Sequence, residues 1–162
     1  MAIYMEYDGI KGNVTAAGYE GMIALDFVAF GVQRAISMKT GELSNRESTK
    51  PSFAVLALEK RLDSASVGIF REAVAGSAGK QDTIHCVRTG KNQLHEFLTY
   101  TFQQCLPTFY RTVDTRSETS AAAERLYLSY TAVVVSHIAS GADNNALNPT
   151  RYGYDLAGAK SL

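Results

Sequence analysis

The chain has 162 residues, with 16 basic and 16 acidic side chains and 46% hydrophobic residues, a length that fits one domain and buries roughly two-thirds of the unfolded surface. Zero net charge removes the long-range field on which a general nucleic-acid or anionic-membrane binder relies. No run approaches the roughly 18 apolar residues of a membrane span, so neither nucleic acid nor membrane insertion is expected.

Ala2 to Tyr7 alternates loosely and Asp8-Gly9 closes it as a turn, which predicts a short first strand. Met1 to Gly12 carries Glu6 and Asp8 and lacks an apolar core of secretory length, so it is read as no signal peptide and the protein is expected to be made and folded in the cytoplasm. Met22 to Val32 reads as one longer strand with apolar groups on both faces. Its odd member, Asp26, has no partner carboxylate nearby and reads as a carboxylate hydrogen-bonded at a sheet edge rather than a catalytic acid. Ser37 to Ser52 is polar and rich in turn formers, a long loop that serves either as a solvated connector or as a contact segment.

Phe53 to Leu58 is apolar on both parities, which predicts a strand covered on both sides, with Glu59, Lys60 and Arg61 returning it to solvent. Asp63 and Ser64 supply cap oxygens for a helix over Ser64 to Ala75, ended by a left-handed Gly76. Val67, Phe70 and Val74, widened by Ile69 and Ala73, predict the face that presses on a sheet, leaving Arg71 and Glu72 outside.

Asp82 to Arg88 and about Glu96 to Gln103 alternate on either side of Thr89-Gly90-Lys91-Asn92, a hairpin. Pro107 is expected to end the ladder or mark an edge, and Phe109 to Val113 to open another short strand before the polar stretch Asp114 to Ser120. Leu126 to Ile138 is the last strong strand. A bulge near Thr131 or Ala132 would keep Leu128, Tyr130, Val133 and Val135 on one face. Ala139 to Leu162 reads as a weakly ordered tail. The expected fold is mainly β (α+β): a small antiparallel β-barrel of two packed sheets with one flanking α-helix, a single domain over 1–162.

Chemistry is sparse. The sequence holds no GxSxG, glycine-rich phosphate loop or HExxH, and His85, His95 and His137 are scattered. His85 and Cys86 are adjacent on a strand and so point to opposite faces, which disposes of a thiol–imidazole pair. Cys86 and Cys105, lacking a CxxC or a His-rich neighbour, read as two reduced thiols rather than a disulfide. With no catalytic residues, metal or cofactor expected, nine tyrosines and no tryptophan point to contact rather than turnover.

Leu58-Glu59-Lys60-Arg61-Leu62-Asp63-Ser64-Ala65-Ser66, followed by Ile69-Phe70 and Ala73-Val74-Ala75-Gly76, closely resembles the haemolysin-coregulated protein (Hcp) family of bacterial type VI secretion. Asp8-Gly9-Ile10-Lys11-Gly12, Thr83-Ile84-His85 with Arg88, Phe97-Leu98-Thr99-Tyr100-Thr101, the Leu128 to Val135 strand and Tyr152-Gly153-Tyr154-Asp155-Leu156 extend the resemblance over nearly the whole chain in order. Where many members carry an aromatic, often Trp, before a Gly, this chain has Phe30-Gly31.

The resemblance implies a structural subunit without catalysis. It would form homohexameric rings that stack into the inner tube of a contractile machine, meet the sheath and spike protein, be expelled without a cleaved signal peptide, and shelter secreted effectors in the lumen. On that footing Lys39, Glu42, Asn45, Arg46 and Glu47 of the loop and Tyr152, Tyr154 and Asp155 of the tail are candidate inter-subunit or ring-stacking contacts. The alternatives are a phage-type tail tube subunit, a hydrolase with dispersed residues, and a monomeric small-molecule-binding β-barrel, whose hollow interior the large Phe, Tyr and Leu content argues against.

Overall fold

Period-two burial marks the strands. Leu56, Leu58 and Lys60 are buried in one segment and Glu124, Leu126 and Leu128 in another, with the side chains between them turned outward. The computed structural model describes residues 1–36, 40, 50–76, 78–90, 94–113, 122–139 and 147–162. Its elements in chain order are β1 (Ala2–Tyr7), β2 (Ile23–Leu25), β3 (Phe27–Ala29), β4 (Val32–Gln33), β5 (Ser52–Phe53), β6 (Leu56–Arg61), α1 (Ser66–Ala75), β7 (Lys80–Thr89), β8 (Leu94–Val113), β9 (Ala123–Ser129), β10 (Ala132–His137), β11 (Thr150–Asp155) and β12 (Lys160–Ser161).

Apart from the short β4–β5 pair, two antiparallel sheets result. The first runs β12-β11-β10-β8-β7-β1-β2, and the second runs β3-β6-β9-β8. Strand β8 is 20 residues long and belongs to both: its first half pairs with β7 and β10, its second with β9. The bend falls at Gln104, a non-glycine residue at φ 54°, in the left-handed region. Facing it, Gly79 leaves no room for a side chain, since a Cβ there would lie 2.5 Å from Gln104 Cα. A second corner lies at Asp26, between β2 in one sheet and β3 in the other, where the Asp26 N–H donates to the Glu59 carbonyl at 2.8 Å. The architecture is thus mainly β with one helix and two packed sheets, as expected, but the sheets meet at corners rather than forming one uniformly closed barrel.

Corners also explain three departures from the strand readings. Met22 to Val32 is divided among β2, β3 and β4. Leu126 to Ile138 is divided at Tyr130 and Thr131, where the chain leaves the second sheet for the first; Leu128, Tyr130 and Val133 all reach the core, through a change of sheet rather than a bulge. Pro107 does not end the ladder. It sits opposite Leu128 beside a register shift, a bulge position that spares it the missing N–H. The tail is likewise ordered: β11 pairs with β10 from Thr150 to Asp155 and carries β12 on its other edge.

The interior is filled. Met5, Ile23, Ile84 and Phe102 from the first sheet meet Leu56, Leu58, Leu126 and Leu128 from the second, all essentially inaccessible, and the Phe30 ring lies 5.6 Å from Tyr100 and 5.7 Å from Phe102. Among the described residues such packing fills the space that a small-molecule barrel would keep hollow. Cys86 and Cys105 are buried and free.

The helix is rotated away from the expected face. Ala65, Ser66 and Ile69 are buried, whereas Val67, Phe70 and Val74 are 79%, 53% and 71% exposed. Gly68 lies against Ile10, with a Cβ there only 3.1 Å from Ile10 Cγ2, so the inward face is the small one. Asp63 Oδ1 accepts the Ala65 N–H at 2.9 Å, as a cap should, but the Ser64 hydroxyl turns to Asn13 Oδ1 at 2.5 Å. Gly76 ends the helix in extended backbone, φ −64°, rather than left-handed.

Candidate assembly surfaces

A buried polar cluster sets the rotation of α1. Lys60 and Glu124 are register partners on β6 and β9 and share the inward parity of Leu58 and Leu126, so the pleat carries both charges into the core. Both are 0% exposed, which overturns the expectation that Lys60 returns to solvent. Four oxygens surround the Lys60 ammonium: Glu124 Oε2 at 2.5 Å, Asp63 Oδ1 at 2.8 Å, the Arg61 carbonyl at 2.8 Å and Ser66 Oγ at 3.1 Å. Ser66 donates to Glu124 Oε2 at 2.9 Å, and the Tyr110 hydroxyl donates to Glu124 Oε1. Burial and that hydrogen bond both raise the Tyr110 phenol above its ordinary value. Because Ser66 must point at Glu124, α1 turns Val67, Phe70 and Val74 outward, with the Phe70 ring 5.7 Å from Tyr110.

Among the described residues three largely apolar faces are exposed. The first is this outer face of α1. The second is the outer face of the sheet β3-β6-β9-β8, where register aligns Ala29, Ala57, Tyr127 and Phe109 in one row and Phe27, Glu59, Arg125 and Arg111 in the next. Phe109 and Tyr127 stack at 4.9 Å, and Arg125 pairs with Glu59 at 2.7 Å. Asp26 adds an exposed ion pair with Arg61 at 3.5 Å, which fits the structural reading of that carboxylate.

The third lies along the tail strand. Tyr152, on β11, is 65% exposed and borders a cleft of about 600 Å³ with Phe30, Val32, Phe53, Val135 and Tyr154. Tyr154 is half-buried and stacks on Phe53 at 5.2 Å. Asp155 is half-buried, with Oδ1 accepting the Gly158 N–H at 3.0 Å. The five loop candidates, Lys39, Glu42, Asn45, Arg46 and Glu47, lie outside the described residues, although the loop springs from the β4–β5 pair that walls the cleft.

On the outer face of the first sheet His85 and Cys86 point apart, as adjacent strand residues must. His85 Nδ1 meets Glu96 Oε2 at 2.5 Å, Thr99 donates to Glu96 Oε1 at 2.7 Å, and the Tyr19 ring lies tilted against Tyr4 and edge-on to His85. Burial, with Glu96 second, pushes both the Tyr19 phenol and the Cys86 thiol up. Among the described residues no group of three or more His, Cys, Asp or Glu is placed to hold a metal ion, and no helix is long and apolar enough to cross a membrane.

The profile of the family described as "Type VI secretion system effector, Hcp" matches residues 4–137. No curated protein sequence matches the chain. Among solved structures, one titled "Structure of a type six secretion system protein" superposes with a TM-score of 0.92 at 19% identity, covering 99% of each chain. An Hcp protein from Salmonella typhimurium gives 0.76 at 18% identity over 99% of this chain and 98% of its own. A type VI secretion system effector from Yersinia pestis gives 0.69 at 17% identity over 94% and 98%. At such identities the structures show a shared fold, and the family profile shows kinship. With residues 4–137 of 162 matched, the chain belongs to the Hcp family of type VI secretion.

Proposed function

We propose that this protein is the ring-forming subunit of a type VI secretion inner tube: six copies close a ring, rings stack within the sheath beneath the spike protein, and the assembly is exported with effectors held in its lumen. Support comes from family membership combined with separate apolar faces on α1, on the second sheet and along β11. A ring closed by heterologous contacts needs two different patches on each subunit, and a chain with several unlike open faces meets that requirement. The role asks for no catalysis. Tyr152, Tyr154 and Asp155 are the tail contacts in this proposal, with Lys39, Glu42, Asn45, Arg46 and Glu47 as loop contacts between rings. Negative-stain images of the purified protein test it: annular particles are expected, and a field of small solid particles would contradict it. Deleting Gly41 to Glu47 should leave rings intact and shorten stacked tubes. Unchanged tube length would remove the loop from the stacking surface.

A further inference from the structure

The buried acid Asp82 plays no part in the assembly surfaces and lies at the corner that joins the sheets. It faces inward from β7 in register with Tyr7 on β1 and Phe102 on β8. Its side chain is fully buried, and among the described residues neither carboxyl oxygen has a hydrogen-bond partner; the Tyr7 hydroxyl nearby has none either. A carboxylate in that setting would forgo hydration with nothing in return, whereas a carboxylic acid loses far less.

Among the described residues the ionisable groups around Asp82 offer no counter-charge that reaches it. Tyr7 stands on β1 and Cys105 on β8, and burial raises both groups. Tyr130 lies beyond Cys105. Asp8 follows Tyr7, and Glu72 on α1 bears on Tyr7 as a further negative charge. The cation on this side, Lys80, is held by Glu72 at 3.0 Å. Lys80 pairs with Cys105, between the close-packed Gly79–Gln104 contact and the register shift that precedes Asp82, so the acid sits just inside the bend on which both sheets depend.

We propose that Asp82 is kept as the neutral acid in the folded protein and that its ionisation is an alkaline release for the corner formed by β7 and the bend of β8. To reach water the carboxylate must displace the start of β7, which carries Lys80 away from Glu72 and loosens α1 at its C-terminal end.

Burial alone pushes the Asp82 acid from 3.8 up to about 8. The folded state therefore binds a proton that the unfolded chain has released, so folding is favoured most below the unfolded value and the advantage shrinks as pH climbs to about 8. Urea denaturation of the whole protein at fixed concentration, from about pH 5 to about pH 8, reads this directly. The folding equilibrium constant of the wild type should fall by up to about tenfold per pH unit. Asp82→Asn, which keeps the shape and cannot ionise, should remove that slope; equal slopes in the two proteins would overturn the proposal. Should the variant fail to fold, infrared spectra of wild type carrying carbon-13 aspartate decide the matter. A protonated-carboxyl band that persists at about pH 7 supports the neutral acid, and its loss by about pH 5, the range of an ordinary carboxyl, refutes it.

Discussion

Lys60 and Asp82 are both ionisable residues at 0% exposure in one interior, and they are handled in opposite ways. Lys60 is saturated: four oxygens share its three N–H donors, and its partner Glu124 has both oxygens engaged. Asp82 has no partner for either oxygen among the described residues. The difference teaches how a small β protein can use buried polarity. The Lys60 cluster joins β6, β9, β8 and the start of α1 into one unit, at the cost of desolvating two charges. Asp82 joins nothing through its side chain and leaves the corner dependent on its proton.

Breaking the saturated cluster should have the largest effect. Glu124→Leu strands a buried ammonium, and a loss of about 3 to 5 kcal/mol is expected in urea denaturation, because an uncompensated charge is worse than no charge. A loss under about 1 kcal/mol would mean that Asp63 and the Arg61 carbonyl suffice. Replacing both partners, Lys60→Met with Glu124→Leu, sharpens the point: most of that loss should be recovered, since a well-packed apolar pair removes the desolvation cost. A double variant as unstable as the single would assign the effect to packing rather than charge. Smallest of the three is Phe70→Ala. With the ring half-exposed beside Tyr110, about 1 kcal/mol is expected, against about 3 to 5 kcal/mol for a buried phenylalanine.

Strand identity was legible wherever apolar periodicity carried the signal, as in Leu56 with Leu58 and Leu126 with Leu128. The charge of Lys60 points to solvent, although it keeps the parity of those leucines; Glu124 and Asp82 carry the same signal relative to Leu126 and Ile84. The face of α1 was harder to read. Val67, Phe70 and Val74 form the more hydrophobic stripe, and what overrides them is a hydrogen bond from Ser66 to a residue 58 positions away, which no local pattern contains. The sheet corners at Asp26, Gln104 and Thr131 depend on pairing with distant strands, so continuous β patterning hid them. Order in the tail is hidden from the sequence for the same reason, because β11 exists through its ladder with β10. Of the contact candidates, Tyr152 is exposed on β11, and the bond that Asp155 accepts from Gly158 depends on a turn the sequence pattern does not mark.

The tube-subunit proposal stands most directly on the mass of the protein in solution. Light scattering of the purified protein across a dilution series should give six times the 17.6 kDa chain, with that mass held as concentration falls. A mass equal to one chain at every concentration would contradict the ring, and with it the assignment of the open faces on α1, the second sheet and β11 to contacts between copies.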